Sequence, residues 1–309
     1  MIFILLACTF SECPSLRIID NINGYVNISD CVFDKMNTNQ KGSVVFLQMN
    51  NNISLTIEKS VFRSCCGSIG AGAIFFNCIN GNSVLYCVCS NNCSCISGDL
   101  YYSAAFAFIC TSITGRNDVQ YLSISKSLGI ISAIDISKGN QMINGINSSF
   151  NYLTYYTGLG LQQSTDCRLT YSSVCSNSAL YHVIICLYKY TNTVSTHVNF
   201  CNNSQGVKNS WGLITNFISS KTQVSQWVFN QNDILCNLFA QSDGSCTVNE
   251  CYFDFKYICA NIIITTPSSF SNSINLVLLM DEGCNINLNT KYFLFRTIHW
   301  TFSLLILNL

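Results

Sequence analysis

The sequence predicts an all-β solenoid, a parallel β-helix of about nine or ten coils, on three observations. A strand-like segment recurs: Ile28-Ser29-Asp30-Cys31-Val32-Phe33, Ile57-Glu58-Lys59-Ser60-Val61-Phe62, Val84-Leu85-Tyr86-Cys87-Val88-Cys89. It returns less completely at Val174-Cys175, Phe200-Cys201, Val228-Phe229 and Cys251-Tyr252-Phe253. A second apolar run follows each copy, and Asn-, Ser- and Gly-rich turns separate the two. A chain that restores one motif at a roughly constant period of about 25 residues stacks coils, because each unit buries its apolar face only against the next.

The aromatic or cysteine closing each unit sets the expected register: Phe33, Phe62, Cys89, Phe150, Cys175, Cys201, Phe229 and Phe253. The double-length gap before Phe150 hides one more unit, at Leu122-Ser123-Ile124-Ser125-Lys126-Ser127-Leu128. The second runs include Val44-Val45-Phe46-Leu47, Ala73-Ile74-Phe75-Phe76, Val183-Ile184-Ile185-Cys186, Leu213-Ile214 and Ile262-Ile263-Ile264. Alternation such as Ser54-Leu55-Thr56-Ile57 fits strands with one inward face. Turns such as Asn50-Asn51-Asn52, Asn80-Gly81-Asn82 and Asn202-Asn203-Ser204 use residues that tolerate left-handed backbone. No segment combines helical apolar spacing with caps. The chain has only two prolines, Pro14 and Pro267, so little interrupts a strand ladder. A β-sandwich also shows many short strands. It gives no reason for one motif to return at every second strand.

The quoted segments resemble the right-handed parallel β-helix, pectate-lyase-like, of polymorphic outer-membrane-protein passengers and related protozoan surface proteins. Gly70-Ala71-Gly72-Ala73-Ile74 is similar to their Gly-Gly-Ala-Ile motif. Phe200-Cys201-Asn202-Asn203 and Phe229-Asn230-Gln231-Asn232 are similar to their Phe-x-x-Asn motif, with Cys89-Ser90-Asn91-Asn92 as a Cys-substituted version. The likeness spans about residues 25 to 265. Most coils lack the Gly-Gly pair, and no segment could form a membrane barrel. The resemblance implies a surface or secreted rod used in adhesion or display, and no catalytic residue set.

Composition narrows the partners. Fifteen basic and fifteen acidic residues leave a net charge of zero, and only 10% of residues are charged. Without a basic stripe, nucleic-acid binding has no electrostatic basis. The 49% hydrophobic content supplies a long dry core. Twenty cysteines, many at inward repeat positions, suggest a mixture of buried thiols and disulfides. The cluster Cys87-x-Cys89-x3-Cys93-x-Cys95, with Cys65, Cys66 and Cys78 nearby, departs from Cys-x2-Cys metal knuckles and reads as packing or bridging.

Residues 1–12 are expected to be a signal peptide or a first strand, 13–290 the β-helix, and 291–309 an apolar cap or a truncated membrane anchor. Arg296 and His299 interrupt the last of these, and a span needs about twenty apolar residues. In an exported chain, the Asn-x-Ser sites at Asn27, Asn52, Asn92, Asn147 and Asn202 become glycan acceptors.

No catalytic, cofactor or metal residues are assigned. The nearest to a lyase set is Asp99, Asp118 and Asp135 with Arg116, and the flanks of Asp135 predict that it is solvated. His182, His197 and His299 form no triad by spacing. The expected function is non-catalytic surface contact with host or neighbouring-cell glycans or proteins. Tyr101, Tyr102, Tyr155 and Tyr156 are contact residues or equally packing residues, and are not assigned as sites. The alternatives are a polysaccharide lyase or glycoside hydrolase of the same fold, and an eroded member without activity.

Overall fold

The computed structural model is all-β, with every described strand pair parallel. It describes residues 24–49, 52–97, 103–155, 158–180, 192–206, 221–233 and 245–253, together with strands at 2–6, 9–11, 16–18, 185–188, 214–217, 239–241 and 262–267. The chain divides into two units, Met1–Leu278 and Leu279–Leu309, and the second lies outside the described residues. So do the expected C-terminal cap, Asp99, Tyr101, Tyr102, Tyr156, His182 and His299.

Each coil passes through three parallel sheets in turn. The first, S1, stacks Ile2–Leu6, Gly24–Ser29, Ile53–Glu58, Asn82–Tyr86, Arg116–Ser125, Asn140–Ser149, Asp166–Cys175, Asn192–Cys201, Lys221–Ser225 and Ser245–Phe253. The second, S2, is made of short strands, from Asn37–Lys41 and Cys66–Ile69 through Leu128–Gly129 and Tyr152–Leu153 to Ser204–Gln205. The third, S3, runs from Leu16–Ile18 through Val45–Met49, Ile74–Cys78, Ala104–Cys110, Ser132–Ser137 and Leu159–Gln162 to Phe239–Gln241. The expected all-β parallel solenoid is therefore the observed fold.

Corners are set by left-handed residues. The first corner bends S1 at Asp30, Lys59, Cys87, Tyr121, Gly145, Tyr171, His197, Gln226 and Glu250, all with positive φ. The second leads into S2 at Lys35, Ser64, Asn92, Lys126, Phe150, Ser176, Asn202 and Gln231, again all with positive φ. At the entry to S3, a Cβ on Gly72 would lie 1.9 Å from Ala105 O of the next coil, so only glycine fits there.

Between the corners runs one interior file: Phe33, Phe62, Ser90, Ile124, Ser148, Val174, Phe200 and Phe229, each buried and in register with the next. Phe33 stacks on Phe62 at 5.0 Å, and Phe200 on Phe229 at 4.9 Å. Where the file narrows to Ser90, Phe106 from S3 packs edge-on to Phe62 at 5.3 Å. Trp227 fills the space beside Phe200, and its Nε1–H donates to Ser195 Oγ at 3.1 Å.

This file corrects the expected register marks. Cys89 pairs with Val61, so Ser90 rather than Cys89 continues the Phe33–Phe62 file. Val174 and Phe200 are inward, and Cys175 and Cys201 face outward beside them. Phe150 is a corner residue, 63% exposed. A slip of one residue exchanges the two faces of a strand. Aromatic side chains occupy both the interior file and the corners, so pattern matching on them confuses the two.

Asp135 is the second correction. Its flanking isoleucines do face the core, but Asp135 on the opposite side is 1% exposed rather than solvated. The whole Ser132–Ser137 strand is buried on both faces. Preceding coils place Phe46, Phe75 and Phe108 in the same outward column of S3, stacked 5.5 and 5.2 Å apart. That face is thus an apolar layer rather than a wetted one.

Candidate functional surface

The short stretch of S1 between the two corners forms a neutral polar strip with aromatic edges. Its outward residues run in two files. Ser123, Asn147, Ser173 and Asn199 are in register and buried, and Ser125, Ser149, Cys175 and Cys201 are in register with only Ser149 and the two cysteines half-buried. Period-2 alternation aims these side chains away from Leu122, Ile124, Ile146, Val174 and Val198, which line the core. Asn91 Nδ2 donates to Ser125 Oγ at 2.9 Å, and Ser173 Oγ lies 3.2 Å from Cys175 Sγ.

Along the first corner the strip is edged by Tyr121, Tyr171 and His197. Tyr121 is 43% exposed and Tyr171 52% exposed. Tyr171 stacks on His197 at 4.7 Å, and Tyr121 meets Tyr86 edge-on at 5.9 Å. Gly145 separates the two groups, and the Tyr121 ring leans over it so closely that a Cβ would lie 3.1 Å from Cδ1. Along the second corner stand Phe150 and, just beyond it in S2, Leu128 and Tyr152.

The geometry is costly. Tyr121, Phe150, Tyr171 and His197 have φ of +55°, +55°, +48° and +56°. A left-handed residue with a Cβ costs about 1–2 kcal/mol. Aromatic side chains at exposed left-handed corners recover little of that through burial.

Of the described members of the lyase set, Asp135 lies apart from Arg116 and Asp118. Arg116 pairs with Asp118 on the same S1 strand at 2.9 Å, while Asp135 lies on S3. Gln162 Nε2 donates to Asp135 Oδ2 at 2.7 Å, and burial pushes the Asp135 carboxyl up to about 7. The cysteine cluster is spread around the coil except for Cys65 and Cys93, which meet side chain to side chain in the core. Cys87 sits at the first corner, Cys93 just inside the second and Cys95 in S2. Cys89 is disulfide-bonded. Among the described residues no group of histidines, cysteines and acids converges to hold a metal ion.

The sequons are placed unequally. Asn92 and Asn202 are exposed at the second corner, Asn52 is exposed at a strand start, Asn27 is half-buried, and Asn147 is buried within the polar strip. Of the expected tyrosine contacts, Tyr155 is half-buried, with its backbone N–H bound to Ile130 O at 2.8 Å. The residues missed from sequence, Tyr121, Tyr171, His197 and Phe150, carry a readable signal. Inward residues on either side of each corner stand three apart instead of two: Val119 and Leu122, Leu169 and Ser172, Ser148 and Asn151. No family model matches the chain, no curated protein matches it, and no solved structure matches it.

Proposed function

We propose that this chain is a non-catalytic contact protein, secreted or displayed at a cell surface, that binds glycan chains along the exposed aromatic corners of S1. One observation carries the reading: bulky aromatic residues occupy exposed left-handed corners where packing returns little for their strain. Tyr121, Tyr171 and Phe150 offer flat apolar faces to sugar C–H groups, and the half-buried Ser149 beside Phe150 offers a hydroxyl partner. The neutral surface gives no preference for an anionic ligand. The Phe-x-x-Asn segments, which build the second corner, support a relationship to polymorphic outer-membrane-protein passengers. In such an exported chain Asn52, Asn92 and Asn202 are the accessible glycan acceptors. A lyase or hydrolase would need acids converging on one groove, and Asp118 and Asp135 lie on different sheets.

The test is retention of the full chain on a panel of immobilised oligosaccharides, compared with Tyr121→Ala/Tyr171→Ala. Each lost stacking contact is worth about 0.5–1.5 kcal/mol, so affinity falls roughly 5- to 150-fold for the pair, with the far-ultraviolet spectrum unchanged. Equal retention by parent and variant, or no retention by either, overturns the reading. Labelling intact cells with a membrane-impermeant reagent tests the location.

A further inference from the structure

Cys175 and Cys201 are register partners on neighbouring strands of S1, and among the described strand pairs no other two cysteines stand in register. Parallel neighbours lie about 4.8 Å apart, within the Cα separation a disulfide spans. Both thiols are half-exposed on the outward face of the strip, beside the buried Val174 and Phe200. Ser173 Oγ lies 3.2 Å from Cys175 Sγ. The buried pair Cys65 and Cys93 offers the contrast: both are 0% exposed, closed to any reagent.

We infer that Cys175 and Cys201 form a redox modification site that takes small-molecule disulfides and becomes a reversible cross-link between adjacent coils. Hydrogen bonds from the Cys201 thiol and from Ser173 stabilise the Cys175 thiolate and pull its pKa down to about 6, against the opposing effect of burial. Ser173 Oγ, 3.2 Å from Cys175 Sγ, gives Cys175 a hydroxyl partner for its thiolate and makes it the attacking group, with Cys201 resolving.

The Cys175 thiolate attacks one sulfur of the small disulfide, whose S–S bond breaks. The released thiolate takes up the proton that Cys175 gave to solvent. Cys201 then loses its proton to solvent and attacks the Cys175 sulfur of the mixed disulfide. This forms the Cys175–Cys201 bond and expels a second small thiolate, which is protonated in turn. Two protein thiols are oxidised, and one small disulfide is reduced to two thiols.

The experiment treats the reduced full chain with glutathione disulfide and maps the products by peptide mass spectrometry. The expected first product is a cross-linked Cys175–Cys201 peptide. It should form at least tenfold faster than any adduct at the buried Cys167, and a dithiol should reverse it. Cys201→Ser should accumulate glutathione on Cys175, whereas Cys175→Ser should leave Cys201 slow. The serine variants keep the strand pairing, so their thermal transitions serve as a check on folding. Modification of Cys175 no faster than of Cys167, or a stable glutathione adduct on Cys175 with Cys201 intact, overturns the assignment.

Discussion

The Asn177 side-chain amide donates to Asn203 Oδ1 at 3.2 Å, one coil away. Asn151 donates to Asn177 Oδ1 at 2.9 Å and Asn203 to Asn232 Oδ1 at 2.9 Å, so the second corner carries a ladder of asparagines inside the solenoid. Each Oδ1 also accepts the backbone N–H of the preceding coil's rung, as Asn177 does from Asn151 N at 3.0 Å. Each Nδ2 donates to a carbonyl of the interior file: Ile124, Ser148, Val174 and Phe200 in turn. In the earlier coils cysteines hold the same place, with Cys65 donating to Phe33 O at 3.7 Å and Cys93 to Phe62 O at 3.8 Å. One corner position thus changes from thiol to amide along the stacked coils while serving the same carbonyl column.

Asn177→Ala removes an inner rung that is 1% exposed. Two donors of Asn151 and two acceptors, Ser148 O and Asn203 Oδ1, lose a partner at once. Unsatisfied buried groups cost about 1–3 kcal/mol each, so the variant should lose about 3 kcal/mol or more. Removing the end rung by Asn232→Ala, where the side chain is half-buried, should cost less than half as much. Denaturant midpoints of the two variants check this order.

Ser127 stands just before the first asparagine rung. Its backbone N–H is held by Asn151 Oδ1 at 2.9 Å, while its buried Oγ has no hydrogen-bond partner among the described residues. Ser127→Asn should extend the ladder by donating to Asn151 Oδ1 and to Ser90 O, the equivalent file carbonyl. The expected gain is about 1 kcal/mol, read as a higher denaturant midpoint at unchanged slope. A lower midpoint would show that the corner beside Cys93 is too narrow for an amide.

The stacking of coils was legible because each coil restores the same inward set: Val26 and Ile28, Leu55 and Ile57, Leu85, Val119. The corner residues were harder to read. Asp30, Lys59, Cys87, Tyr121 and His197 share a backbone conformation and little chemistry, so no residue type marks the place. The aromatic strip was missed for the same reason, since Tyr121 and Tyr171 do not look alike with Gly145 between them. Asp135 misled in a different way. Alternation placed it correctly on the outer face of its strand, but the burial of that face is a property of the Phe46, Phe75 and Phe108 column rather than of its own neighbours.

Phe150 shares its corner position with Asn92 and Asn202, which accept left-handed backbone more readily. Its ring is 63% exposed, so little packing is lost on replacement. Phe150→Asn should raise stability by about 0.5–1 kcal/mol through relief of that strain. The same change removes an aromatic edge of the strip, so stability should rise while oligosaccharide retention falls. Thermal transitions and retention measured on one preparation report both, and a gain in both would separate Phe150 from ligand contact.

The buried Asp135 carboxyl ties stability to pH. Its folded pKa is raised by burial to about 7 from the ordinary aspartate value of 3.8, against the lowering effect of the Gln162 hydrogen bond. Between those values the folded chain holds a proton that the unfolded chain has released. Stability therefore falls as pH rises through this window, by about 1.4 kcal/mol per pH unit, and levels off above pH 7. Asp135→Asn keeps an oxygen for the Gln162 Nε2 donor and removes the titration. The variant should show a flat profile from pH 4 to 7 where the parent declines, and at pH 8 it should be the more stable of the two. Denaturant titrations at half-unit pH steps measure the difference. Parallel profiles for parent and variant would place the coupled proton elsewhere.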